Sequence, residues 1–169
     1  EKELRMVVSG LKNGKTPGWD GVAVELVKNG YECLKEWLLK LYNACFEFGI
    51  FPNVWKRGTI VTLLKGEDRD TGSASSYRPI CLLPVLGKIM EKLIVLKMED
   101  LFYEKVSERQ YGFMRGKSTE QAIVRLRNMV ESRREKYVVG IFLDMSGVFD
   151  RVWWPGVLWL LRDAGVKGD

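Results

Sequence analysis

The chain has 169 residues, 46% of them hydrophobic, which is enough to bury a core and too apolar for a disordered segment. Lys and Arg number 27 against 22 acids, a net charge of +5 with a pI near 9.1. That mild basic bias suits a phosphate-bearing partner without requiring one. There is no His, and Cys33, Cys45 and Cys81 are scattered with no CxxC pair. Zinc sites and disulfide frameworks are therefore not expected, and a reducing, intracellular setting fits best. No apolar run approaches the ~20 residues needed to cross a bilayer, and no secretory leader is recognisable, so neither membrane insertion nor secretion is expected. Glu1 begins inside a helical pattern without an initiator Met, so the chain reads as a fragment of something longer.

Leu4, Val7, Val8 and Leu11 fall at helical spacing and predict a helix over residues 2–12, running into Asn13-Gly14. KTPGWDG then demands a tight exposed turn. Leu34, Trp37, Leu38, Leu41, Tyr42, Cys45 and Phe46 make one amphipathic stripe, read as core, in a helix that Gly49 and Pro52 stop. Thr59–Leu64 reads as a strand ending in Lys65, the polar run 66–76 as a loop, and Tyr77–Leu83 as a second strand opened by Arg78. The pair predicts a hairpin whose tip can reach a ligand. Taken alone, Lys65 and Arg78 are each solvated surface charges.

Pro84 opens the next helix, with Leu86, Ile89, Met90, Leu93, Ile94 and Leu101 as its buried face. In QYGFMRGKSTEQAI, residues 110–123, Gly112 and Gly116 allow close backbone approach. Arg115, Lys117, Ser118 and Thr119 supply donors beside Tyr111 and Phe113, a combination that suits a phosphate backbone. Ser118 with Gln121 also reads as a capping box, and the cap and ligand roles are compatible. The helix that follows is expected to turn Ala122, Ile123, Leu126, Met129 and Val130 inward, leaving Arg125, Arg127, Arg133 and Arg134 in solvent.

Val138–Leu143 is a short apolar run rich in β-branched residues, the pattern of a strand buried on both faces. It ends in Asp144, after which Met145, Ser146 and Gly147 break the run before Val148, Phe149 and Asp150. A carboxylate at the end of such a strand is well placed to hold a hard cation; by spacing alone, capping the next turn is the plainer role. Pro155 starts a last helix through Leu161 that ends near Gly165.

Several of these stretches, in order over residues 10–161, resemble one family, the reverse transcriptases of non-LTR (LINE-like) retrotransposons. GKTPGWDG with Glu25 resembles its N-terminal turn-and-helix block, LLKG its first fingers motif, and SYRPICLLPVLGKIMEKLI its second. QYGFMRGKSTEQAI resembles the block before the palm, and FLDMSGVFDRV the first palm motif. SGVFDRVWWPGVLWLL is most similar to arthropod elements that insert at defined chromosomal sites. The resemblance implies an α/β (α+β) fold: the fingers and the beginning of the palm of a right-hand polymerase, mostly helical with short strands. Residues 1–136 would be the fingers with a helical extension, and 137–169 the truncated start of the palm.

It further implies an RNA-directed DNA polymerase in which Asp144 is the first metal-binding carboxylate and the Met145 carbonyl a further ligand, with two Mg²⁺ ions in the complete enzyme. Lys65 and Arg78 would grip the nucleotide triphosphate, and Phe149 would be the aromatic gate beneath the sugar. Gly112, Arg115, Lys117 and Ser118 would track the template–primer backbone. The implied partners are an RNA template, a DNA primer, dNTPs and the rest of the polyprotein (thumb and endonuclease), meeting in the nucleus during target-primed synthesis. The sequence also departs from the family pattern. The second palm motif, an aromatic residue followed by two Asp, is absent from this chain. Val148 stands where a small Ala is usual, Trp19 replaces a common Pro, and Met114 a common basic residue. Alternative readings are a non-catalytic nucleic-acid-binding remnant of such an enzyme and a plain α/β interaction domain.

Overall fold

The computed structural model describes residues 1–103, 105–145 and 147–166. It is a mixed fold of helices and short strands, as expected. The chain divides into two compact units, 1–97 and 98–169, with the division falling inside a long helix. The fingers–palm boundary expected at 136/137 is a different division. No helix among the described residues is long and apolar enough to cross a membrane.

In the first unit, α1 (Lys2–Ser9) is closed by Gly10, three residues earlier than the periodicity predicts. The KTPGWDG turn follows with Gly14 and Gly21 both at φ +68°, a left-handed conformation that Gly adopts without steric cost. The turn is held at its ends: the Gly14 N–H donates to Glu25 Oε1 at 2.6 Å, and the Val22 N–H to Asp20 Oδ1 at 3.2 Å. Gly18 sits so close to the Leu83–Pro84 backbone that a Cβ there would lie 2.5 Å from the Pro84 nitrogen. A short α2 (Val24–Asn29) precedes α3 (Tyr31–Glu47), the two separated only by Gly30. At the end of α3, Gly49 turns left-handed (φ +61°) and the Ile50 N–H reaches back to the Cys45 carbonyl at 2.9 Å, which satisfies a free helix carbonyl and fixes the stop.

The apolar stripe of α3 is split. Tyr31, Leu38, Tyr42 and Cys45 are buried, while Leu34, Leu41 and above all Trp37, 71% exposed, face outward. The single-stripe reading is therefore too wide, because only one edge of the stripe has a partner. That partner is α4 (Val85–Tyr103), whose Val85, Ile89, Met90 and Leu93 are buried. With Leu4, Val7, Val8, Leu11, Val24, Val27 and Trp55 these residues form the core. Tyr42 donates its hydroxyl to the Leu86 carbonyl at 3.0 Å, and burial pushes its pKa up. Trp55 packs against Tyr42 and Phe51 with ring centroids 5.7 and 5.8 Å away.

Between α3 and α4 lies the hairpin of β1 (Thr59–Leu64) and β2 (Tyr77–Leu82), paired antiparallel from Thr59 opposite Leu82 to Leu64 opposite Tyr77. β2 ends one residue before the predicted Leu83. Both faces are open, with Ile60 69% and Leu63 53% exposed. Two strands alone are marginal in water, so this hairpin presents its side chains rather than burying them.

The second unit carries α5 (Thr119–Glu131) and α6 (Trp154–Asp163). Ser118 caps α5 as predicted: its Oγ accepts from the Gln121 N–H, and Gln121 Oε1 accepts from the Ser118 N–H. The expected inward face is not buried, however. Ala122 is half-buried, while Ile123, Leu126, Met129 and Val130 are exposed. Leu101 of α4 is likewise exposed. α6 has Pro155 in its first turn and ends at Gly165 (φ +89°), where the Val166 N–H reaches the Leu161 carbonyl. Lys105 anchors that end, donating to the Asp163 carbonyl at 2.8 Å and its carboxylate at 3.0 Å.

The largest difference concerns Val138–Leu143, which forms no strand. Val139, Ile141, Phe142 and Leu143 are each more than 80% exposed. A doubly buried strand needs a neighbour for its backbone and layers for both faces, and among the described residues β1 and β2 pair only with each other. Ser146, expected in the turn that follows, lies outside the described residues.

Candidate active site

The hairpin register decides where the two candidate triphosphate-binding cations lie. The Lys65 N–H donates to the Ser76 carbonyl at 2.8 Å, extending the ladder by one step, and Arg78 stands opposite Leu63. Residues directly opposite each other share a face and the pattern repeats every second residue, so Lys65 and Arg78 project from the same face as diagonal neighbours. Lys65 Nζ donates to the Ser75 carbonyl at 2.7 Å, which tips its ammonium toward the loop. Both side chains belong to the exposed hairpin, where a phosphate can reach them.

In the second unit, Asp144, Met145, Val148 and Arg151 line an open cavity of about 420 Å³. Met145 is 75% exposed. Arg151 is the residue that spacing did not single out; its signal is the FDR turn, a short 3-10 segment at Phe149–Arg151 whose last residue shares this cavity with Asp144. Phe149 is 76% exposed, so it is not the core aromatic that its residue type alone would suggest. Its ring meets Phe113 edge to face, with centroids 6.1 Å apart and planes at 89°.

In the QYGFMRGKST turn, Lys117 Nζ donates to the carbonyls of Glu108 (2.7 Å) and Gln110 (2.9 Å), and lies 5.3 Å from the Tyr111 ring centre. Two of its three N–H donors are thus engaged within the loop. Arg115 is exposed and meets Glu99 loosely at 3.6 Å. Ser118 is occupied as the cap, and Gly112 carries its carbonyl to Gln110 Nε2 at 2.9 Å. Arg125, expected in solvent, is half-buried instead and donates to the Tyr111 hydroxyl at 3.4 Å, a contact that raises its pKa.

Asp144 supplies one carboxylate, and the backbone carbonyl of Met145 is a second oxygen donor of the kind hard divalent cations take. Among the described residues no group of three His, Cys, Asp or Glu side chains gathers as a metal cage. The donor set fits Mg²⁺ in kind, with further ligands required from substrate oxygens or from other chain.

Residues 64–167 match the reverse transcriptase (RNA-dependent DNA polymerase) family model. The chain belongs to the reverse transcriptase family. It is 37% identical over 165 residues to the putative 115 kDa protein in type-1 retrotransposable element R1DM of Drosophila melanogaster, covering 98% of this chain and 16% of that protein. It is 38% identical over 163 residues to the Retrovirus-related Pol polyprotein from type-1 retrotransposable element R1 of Bradysia coprophila, covering 96% and 16%. The RNA-directed DNA polymerase from mobile element jockey of Drosophila melanogaster is 33% identical over 163 residues, 94% and 18%. This reverse transcriptase chain therefore spans less than a fifth of the length of these retrotransposon relatives. The family uses divalent metal ions.

Proposed function

We propose that this chain supplies the nucleotide-gripping hairpin and the first metal-binding carboxylate of an RNA-directed DNA polymerase that copies retrotransposon RNA from a DNA primer. The observation that carries the reading is the hairpin register, which puts Lys65 and Arg78 on one exposed face in a chain of this family. Phosphoryl transfer needs little covalent chemistry from the protein; it needs position and charge neutralisation. Arg78 offers a planar fork of donors that matches phosphate oxygens, and Lys65 acts as a point charge. Asp144, with the Met145 carbonyl, would hold Mg²⁺. When bound, two such ions lower the charge at the attacking and leaving oxygens of the displacement. Phe149, exposed and without a core role, would lie under the sugar and exclude a 2′-hydroxyl by its volume. Arg115 would meet the template–primer backbone, with Gly112 and Ser118 shaping that turn and Lys117 holding it together. The working place is the nucleus, where target DNA provides the primer.

The test uses the complete polymerase that contains this segment. Arg78→Ala removes charge-assisted hydrogen bonds and should raise the KM for dNTPs by about tenfold or more, with template–primer affinity little changed. Asp144→Asn should abolish primer extension. Unchanged dNTP KM in Arg78→Ala would overturn the hairpin assignment. An intact polymerase that binds nucleic acid in a salt-dependent way but never extends a primer would identify the non-catalytic remnant instead.

A further inference from the structure

We propose that Phe113 is a positioning residue for Phe149, and that the pair rather than Phe149 alone sets the choice between deoxyribose and ribose. The inference rests on the reading of Phe149 as the sugar gate. Phe113 is the one non-glycine residue at positive φ among the described residues (φ +60°), a conformation that costs an L side chain energy and a glycine almost nothing. Its ring is 94% exposed, so no core burial offsets that cost. The turn is nevertheless held firmly on both sides of it. Gln110 Nε2 donates to the Gly112 carbonyl, the Lys117 N–H to the Met114 carbonyl at 3.3 Å, and Lys117 Nζ to the Glu108 and Gln110 carbonyls. What this arrangement delivers is the edge-to-face contact with Phe149, at a separation and angle that aromatic pairs favour.

A gate that works by exclusion must not swing aside. Phe149 stands on a short 3-10 segment and is largely exposed, so its own backbone does little to restrict its rotamers. The Phe113 ring, set edge to face with it, supplies the restriction, and without it the Phe149 ring can yield to a 2′-hydroxyl. The effect is on selection, because neither ring is asked to take part in the chemical step.

The experiment is steady-state incorporation of rNTPs and dNTPs by the complete polymerase carrying Phe113→Gly, Phe113→Tyr, Phe149→Val or Phe113→Gly with Phe149→Val. Glycine relieves the positive φ, so Phe113→Gly removes the ring without straining the fold, and tyrosine keeps the ring. Phe113→Gly should raise the rNTP-to-dNTP ratio of kcat/KM by about 2- to 12-fold, the worth of one aromatic pair, chiefly through a lower KM for rNTPs with the dNTP kcat unchanged. Phe113→Tyr should keep the parent ratio. In the Phe149→Val background, Phe113→Gly should change nothing further. If Phe149→Val shifts the ratio but Phe113→Gly does not, or shifts it equally in both backgrounds, the positioning role is lost while the gate stands. If Phe149→Val leaves the ratio unchanged, the gate reading falls and this inference falls with it.

Discussion

Lys117 and Arg115 stand two residues apart in one turn and spend their charges differently. The Lys117 ammonium closes the loop on two carbonyls and an aromatic face, whereas the Arg115 side chain is 72% exposed with one loose partner. From residue type alone both read as phosphate contacts. The structure separates them by what each already touches. Each neutralised phosphate contributes about 0.9 to the slope of log affinity against log salt. Arg115→Ala should therefore flatten the salt dependence of template–primer binding by about one such step. Lys117→Ala should leave the slope unchanged and instead make the 108–117 turn more sensitive to proteolysis. Equal losses of slope in the two variants would return Lys117 to the role of a phosphate ligand.

At the level of elements, local chemistry was legible and non-local partnership was not. The Ser118 cap, the Gly49 and Gly165 helix stops and the hairpin of β1 and β2 are each settled by a few neighbouring residues, and each forms as predicted. The inward face of α5 and the buried strand at Val138–Leu143 depend on elements that must arrive from elsewhere, and periodicity says only that a face is apolar, not what covers it. The split of the α3 stripe has the same cause, since Trp37 and Leu38 are equally apolar and only packing distinguishes them. Of the candidate site, the residue types were legible, while the engaged state of Lys117, the Phe113–Phe149 pair and Arg151 beside Asp144 required coordinates. The N-terminal turn offers a test at this scale. The Gly14 N–H holds the Glu25 carboxyl below its usual 4.5, with the glutamate's own backbone and Lys28 acting in the same direction. A lowered folded-state pKa means stability that is present above 4.5 and lost as pH falls through the lowered value. Glu25→Ala should therefore melt at a lower temperature than the parent at neutral pH, and the difference should shrink as the pH drops below 4.5. A Tm gap that persists undiminished in acid would mean the loss comes from packing, not from the carboxylate. In the same unit Ile89, 0% exposed, has no room to be missed: Ile89→Ala should cost ~2–5 kcal/mol in denaturant unfolding.

Across the whole molecule the two units differ in how they are held. The first has a contiguous buried core, and the second leaves its longest apolar runs in solvent among the described residues. Amides of Val138–Leu143, with no ladder partner among the described residues, should exchange with solvent roughly a thousandfold faster or more than those of Ile89–Leu93; comparable protection would mean that a partner strand forms in solution. The same incompleteness bears on catalysis. A two-metal displacement requires several acidic ligands, and among the described residues Asp144 shares its cavity with Met145, Val148 and Arg151, with no group of three acids gathered there. Arg151 is a cation, so it opposes the entry of a second metal ion unless a phosphate comes with it. The chain also spans less than a fifth of its retrotransposon relatives. The 169-residue chain by itself is therefore expected to bind a template–primer weakly, with affinity falling steeply as salt is added, and to extend no primer when supplied with Mg²⁺ and dNTPs. Binding without extension follows because electrostatic capture needs only dispersed cations, whereas transfer needs both metals placed at once. Extension products that disappear in an Asp144→Asn control would prove the isolated chain competent and would mean that its metal ligands are complete without the rest of the polymerase.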